Sequence, residues 1–135
     1  MKVVVDTNIL FSYFWKNSLT KKLLEMSKID LVSPSISLKE IKKYKEEISD
    51  KAKINPSEFL TLLNNLKKTV KFIEKSYYSS HLDEAQNISP DEADADFFAL
   101  CLKEKTFLWS NDSLLQKQNK INVLSTKEII ELLLD

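Results

Sequence analysis

Four carboxylates in four separate segments carry the chemistry this chain could perform: Asp6, Glu40, Asp94 and Asp112. Asp6 closes the run Lys2-Val3-Val4-Val5 and opens Asp6-Thr7-Asn8, while Asp112 follows Thr106-Phe107-Leu108-Trp109 within Trp109-Ser110-Asn111-Asp112. An acid just past a buried strand does nothing for packing, and crowded carboxylates repel one another unless a cation sits among them. Hard cations such as Mg²⁺ and Mn²⁺ take oxygen donors. One or two such ions in an acidic site bind a phosphodiester, activate water and stabilise the leaving oxygen. Asp6, Asp94 and Asp112 then read as direct ligands, with Glu40 holding a water of the ion or a second ion. Thr7, Asn8, Ser110 and Asn111 suit hydrogen bonds that orient the acids.

Each of these residues also has a structural use. Asp6 could cap a helix over 8–15, and Asp112 could lie in the first turn of a helix over 111–118, where the dipole favours an acid. Glu40 ends Ser37-Leu38-Lys39-Glu40, a capping-box pattern in which the acid is structural when taken alone. Asp94, past the first turn of a helix over 90–104, has no capping use. For Thr7, Asn8, Ser110 and Asn111 the turn and cap bonds are compatible with orienting an acid.

The elements that must position these acids alternate along the chain. Strand patterns fall at 2–5, 30–33, 70–73, 106–109 and 121–124. Helical patterns fall at 8–15, 18–28, 36–50, 56–68, 76–86, 90–104, 111–118 and 126–134. Ser37–Glu40, Ser89-Pro90-Asp91-Glu92 and Ser125-Thr126-Lys127-Glu128 read as capping boxes, and Asn55-Pro56 as a cap followed by a first-turn proline. Such alternation predicts one α/β domain over 1–135, with a parallel sheet of about five strands covered on both faces. Ligands of such sheets bind outside the carboxyl ends of strands, where the strand order reverses. If the first and fourth strands are neighbours there, Asp6 and Asp112 converge. On the helix over 90–104, residues turn about 100° each, which separates Asp94 from Asp96 by roughly 200°. Asp94 shares its side with Phe97, Phe98 and Cys101, towards the sheet, and Asp91 lies one turn earlier as a possible rim acid. Glu92, Asp96, Ala99 and Lys103 form a stripe that reads as solvent-facing.

Taken together, Val4-Val5-Asp6-Thr7-Asn8-Ile9-Leu10, Ser37-x-x-Glu40-Ile41, Asp94-Ala95-Asp96-Phe97-Phe98-Ala99-Leu100 and Trp109-Ser110-Asn111-Asp112 resemble the PIN domain family. Each motif is weak alone; their order and spacing are specific, and the likeness spans nearly the whole chain. The resemblance implies a PIN-like, Rossmann-like three-layer sandwich and an Mg²⁺- or Mn²⁺-dependent endoribonuclease acting on single-stranded RNA, with Asp6, Glu40, Asp94 and Asp112 as its acids. It also implies a toxin of a toxin–antitoxin pair, with an antitoxin protein as partner and a homodimer as the assembly. For the dimer, the aromatic run Tyr13-Phe14-Trp15 offers a contact surface. Two other readings fit the same resemblance: an RNA-processing nuclease without an antitoxin, and a catalytically silent PIN-like binding module.

Composition narrows the field further. The chain has 20 basic and 20 acidic residues, so a broadly basic nucleic-acid coat is excluded, though an acidic pocket offset by lysines elsewhere is not. Every basic residue is lysine, so the bidentate phosphate clamps of arginine are absent. The absence of glycine removes the Walker A loop and the dinucleotide fingerprint. A single histidine, His81, excludes a histidine-rich zinc site, and a single cysteine, Cys101, excludes an internal disulfide. No stretch is apolar for long enough to span a bilayer, and a cytoplasmic location is expected. A haloacid-dehalogenase phosphatase would need an acid where Asn8 stands, and a receiver domain would need an acidic pair before the first strand-end acid.

Overall fold

The computed structural model describes residues 1–16, 18–26 and 28–134. Val3, Val4 and Val5 are fully buried, because β1 (Lys2–Val5) lies in the middle of a five-stranded sheet. The other strands are β2 (Asp30–Pro34), β3 (Val70–Ile73), β4 (Leu108–Trp109) and β5 (Val123–Leu124). All pair in parallel, in the order β3-β2-β1-β4-β5. A strand turns successive side chains to opposite faces. Val3, Val5, Leu31 and Trp109 therefore enter one apolar cluster, and Val4, Val32, Leu108 and Val123 enter the other.

Helices cover both faces, giving the three layers expected. On the first face lie α1 (Thr7–Phe11), α2 (Leu19–Leu24), α3 (Ser35–Lys43), α4 (Lys45–Ala52) and α5 (Pro56–Thr69). The second face carries α6 (Lys75–Tyr78), α7 (Leu82–Ile88) and α8 (Ala95–Glu104). The last helix, α9 (Thr126–Leu134), returns to the first face through buried Ile129. Among the described residues, no helix is long and apolar enough to cross a membrane. In a chain without glycine, α4 and α8 end on Lys53 and Lys105 with φ of 57° and 55°, positions where glycine is the usual occupant.

Several expected elements are shorter or broken, and short polar side chains account for much of this. The helix over 111–118 reduces to a 3₁₀ turn at Leu115–Lys117. Ser110 Oγ takes the backbone N–H of Asp112, and Asp112 Oδ1 takes that of Leu114, so local side chains replace helical carbonyls. The helix over 90–104 opens as a 3₁₀ turn, Glu92–Asp94, before α8 begins. Its cap is Asp91, which accepts from the Ala93 N–H, whereas Ser89 donates to the Asp91 carbonyl. The helix over 36–50 divides at Tyr44, and Ser37 lies inside α3 rather than capping it. The box at Ser125–Glu128 forms as expected, and the cap expected at Asn55 forms as one half of a further box with Glu58. The helix over 18–28 runs only Leu19–Leu24, and residue 27 lies outside the described residues. The strand at 106–109 pairs only over β4, although Thr106 Oγ1 still reaches the Lys2 carbonyl at 2.6 Å.

Candidate active site

In the observed strand order the sheet reverses direction between β1 and β4, the position where open parallel sheets bind ligands. Val5 registers with Trp109, so the segments leaving both strands emerge side by side. Asp6 follows β1 and is 5% exposed, far more buried than an acid normally is. Its backbone N–H donates to the Trp109 carbonyl at 3.0 Å, and its own carbonyl accepts the N–H groups of Ile9 and Leu10 in α1. Its carboxylate receives the Ser110 hydroxyl at 2.7 Å, and that same hydroxyl accepts the Asp112 N–H at 3.1 Å. One serine therefore ties the two strand-end acids together. Although Asp6 occupies the N-cap position of α1, its side chain makes no cap hydrogen bond, so the capping use is not realised.

The other two acids enter from helices on opposite faces. Glu40 lies in α3 and is half-buried. The capping box proposed for it does not exist. Ser37 Oγ instead donates to the Pro34 carbonyl and pairs with Ser33 Oγ, and Ser33 reaches the Val5 carbonyl just before Asp6. Asp94 sits at the N-cap of α8, again without a side-chain cap bond. This corrects its placement past a first helical turn, yet leaves its carboxylate free for the site.

Electrostatics show which acids face one another. The Asp6 carboxyl is pushed up by burial and by Asp112, against hydrogen bonds from Ser110 and the Thr7 backbone. Burial and the charge of Asp6 push Glu40 up, with Lys43 opposing. Burial raises Asp94 to about 6, and Asp6, Asp91, Asp112 and Glu40 all add to the shift. Each of the four predicted acids therefore acts on at least one of the others. As placed, no three acidic, histidine or cysteine side chains among the described residues stand close enough to grip an ion together. That spacing suits a hydrated ion that keeps several waters and takes one or two carboxylates directly, as Mg²⁺ does, rather than a closed cage. The donors fit such an ion: all are hard oxygens, and Thr7 Oγ1 beside Asp6 is buried without a hydrogen-bond partner among the described residues.

The remaining candidates separate. Asn8 is exposed and lines a cleft beside Glu40. Asn111 turns to α9, where its amide donates to Thr126 Oγ1 at 3.0 Å and its carbonyl accepts the Thr126 N–H at 2.8 Å. Asp91 serves as the cap described above while adding negative charge towards Asp94. Asp96 departs from expectation. It is half-buried and accepts from the Tyr78 hydroxyl at 2.5 Å, and Ala99 of the same stripe is fully buried. The middle of the stripe faces α6 and α7, which pack against α8, while Glu92 and Lys103 at its ends are exposed as expected. The aromatic run differs too: Tyr13 and Phe14 are each 1% exposed, and only Trp15 reaches the surface. The apolar surface expected for a dimer is thus mostly interior, with Phe14 stacked on Phe59 at 4.8 Å.

The sequence profile of the PIN domain matches residues 4–132, which takes in all four acids. The chain belongs to the PIN domain family. PIN domains are generally nucleases, and the acidic cluster lies where this fold places its switch point. The crystal structure of VapBC2 from Rickettsia felis, bound to a DNA fragment from their promoter, shares the fold. The TM-score is 0.65 at 17% identity, over 93% of this chain and 98% of that one. No curated protein matches the sequence significantly.

Sequence reasoning passed over three contributors to this PIN-domain site. Ser33, at the end of β2, binds the backbone that presents Asp6. Trp109, read only as core, also donates its indole N–H to Thr126 at 3.0 Å. Thr126 anchors the Ser110–Asp112 segment through Asn111. A serine in an apolar strand such as Leu31-Val32-Ser33 was a visible signal, since a buried hydroxyl needs a partner. Nothing in the sequence pairs Thr126 with a residue 15 positions earlier.

Proposed function

We propose that this PIN domain is an Mg²⁺- or Mn²⁺-dependent endoribonuclease that hydrolyses phosphodiester bonds of single-stranded RNA. The observation that supports it most directly is the facing of Asp6, Glu40, Asp94 and Asp112 towards one end of β1, where burial, and then the charges of its neighbours, raise Asp94 to about 6. Such repulsion is tolerated where a cation offsets it. One or two of Asp6, Asp94 and Asp112 would hold the ion directly and the rest through its waters, with Glu40 on a water or a second ion. A divalent cation bound there supplies charge neutralisation at the phosphodiester and makes water a better nucleophile. Ser110 keeps the Asp6 carboxylate and the Asp112 backbone in a fixed relation. Glu40, whose proton affinity burial and Asp6 raise, would accept a proton from an attacking water. Thr7, Asn8, Ser110 and Asn111 act through the acids, and Asp91 adds negative charge at the rim.

The resemblance to toxins of toxin–antitoxin pairs, with the fold shared with VapBC2, supports a toxin role and an antitoxin partner. A homodimer and a cytoplasmic location belong to the same reading. Incubation with a labelled single-stranded RNA tests it. Cleavage should appear with Mn²⁺ or Mg²⁺, stop with EDTA, and fall to background in Asp6→Asn and Asp94→Asn. Cleavage that survives chelation would sink the metal-dependent account. Co-expression with the product of the neighbouring gene tests the toxin role: a stable complex without cleavage activity is expected.

A further inference from the structure

Beside the acidic site lies an open cleft of about 440 Å³ that the four acids do not explain. Asn8 and Glu40 form its inner wall, so it is continuous with the site. Phe11, Trp15, Tyr44 and Ile48 line the rest, together with Lys51 and Glu47, which pair at 3.2 Å. Trp15 and Tyr44 are 37% and 38% exposed, although large aromatics are usually well buried. Tyr44 is held in place: it sits at the break between α3 and α4, and its ring meets Phe11 edge-on at 6.2 Å. Lys43 Nζ lies 5.4 Å from the Tyr44 ring centroid. Lys39, Lys42 and Lys45 are exposed on the same two helices.

We infer that this cleft is a nucleobase subsite, taking an unpaired base of the RNA one step from the phosphodiester at the acids. This rests on the ribonuclease reading and adds to it how single strands are selected. Unpaired bases bind by stacking on aromatic rings, a contact that a duplex hides inside its own stack. The volume lies within the range of about 300–1,000 Å³ typical of small-molecule pockets. The charge pattern also favours a nucleotide over an apolar peptide segment. Lys39, Lys42, Lys43 and Lys45 stand on the helices on either side of Tyr44, interleaved with Glu46, Glu47 and Asp50, and without arginine these lysines and the ion are the available phosphate contacts.

The chain supplies its own probe. Of its two tryptophans, Trp109 is fully buried and Trp15 lines the cleft. A single-stranded hexaribonucleotide, titrated in EDTA to prevent cleavage, should quench the tryptophan emission. Duplex RNA and the same strand with abasic sugars should not, and Trp15→Phe should lose the signal. With Mn²⁺ present, Tyr44→Ala should raise KM for RNA cleavage about tenfold and change kcat far less, a size that stacking of one base can supply. Circular dichroism confirms that each variant folds. Equal quenching by the abasic strand, or an unchanged KM in Tyr44→Ala, overturns the subsite. An enzyme that cleaves RNA with those results is a ribonuclease whose cleft serves another occupant, such as a partner protein's side chain. Base-dependent quenching without any cleavage leaves the subsite standing and removes the nuclease reading.

Discussion

The Asp94 carboxyl holds its proton to about pH 6 because burial and its acidic neighbours disfavour its charge. An acid whose folded pKa lies above its unfolded value binds more protons when folded between the two. Its contribution to stability is complete below the unfolded value of 3.8 and is lost as pH rises through about 6. Asp6 and Glu40 shift in the same direction. Metal-free protein should therefore melt at a lower temperature at pH 7 than at pH 5. Asp94→Asn should raise the melting temperature at pH 7 and flatten this slope without abolishing it. A steeper slope in the variant would count against the crowding. Asp96 answers to different physics. Its carboxylate is the partner of the fully buried Tyr78, so Asp96→Ala leaves a buried hydroxyl unmatched at a cost of about 1–3 kcal/mol. Denaturant melts should show that loss while RNA cleavage persists. Destroyed cleavage in a folded Asp96→Ala protein would mean that the third carboxylate has been assigned to the wrong residue.

At the scale of elements, the corner between β4 and α9 decides how Asp112 is presented. No regular helix follows β4. The turn is kept by Ser110, by Asn111 bound to the first residue of α9, and by the Trp109 indole on the same threonine hydroxyl. Thr126→Ala removes the partner of two donors, one on Trp109 and one on Asn111. Outer-shell changes of this kind cost about 10–100-fold in metal affinity or activity. Thr126→Ala should therefore lower cleavage by about tenfold with a modest loss of stability, and Thr126→Ser should restore most of it. A variant with unchanged cleavage would make this corner a packing feature only. Ser33 plays the matching part on the other side of β1, fixing the Val5 carbonyl that precedes Asp6.

At the scale of the molecule, a protein with balanced charge concentrates negative charge at one end of its sheet. An ion that binds this arrangement only in the folded state raises stability by mass action, about 2.7 kcal/mol at a hundredfold excess over its Kd. Mn²⁺ should accordingly raise the melting temperature by several degrees at pH 7. The effect should weaken below pH 6, where protons compete for the same oxygens. Asp6→Asn should lose most of it. An unchanged melting temperature at millimolar Mn²⁺ would show that the acids do not form a cation site.

Residue types and periods were enough to expect the five parallel strands, the two covered faces and the strand-end acids Asp6 and Asp112, while Glu40 joined them through the resemblance to PIN domains. Burial and alternation write themselves into local composition: Val3-Val4-Val5 can only be a strand buried on both sides, and an acid following it has little to do with packing. The cap at Asn55 and the capping box at Ser125 were legible for the same reason, since each satisfies its backbone within four residues. Features set by contacts between distant segments were not. Ser37-x-x-Glu40 has the pattern of a cap, but Ser33 and Pro34 claimed Ser37, and Ser33 took the Val5 carbonyl once β1 and β2 paired. The stripe through Asp96 and Ala99 looked solvated until α6 and α7 packed over it, and Tyr13-Phe14 looked like a surface until α5 brought Phe59 against it. A sequence carries its hydrogen-bonding groups but not their partners, and buried polar groups choose partners only after the layers close. The chain therefore specified which acids are available, and the neighbouring of β1 and β4 brought Asp6 and Asp112 side by side.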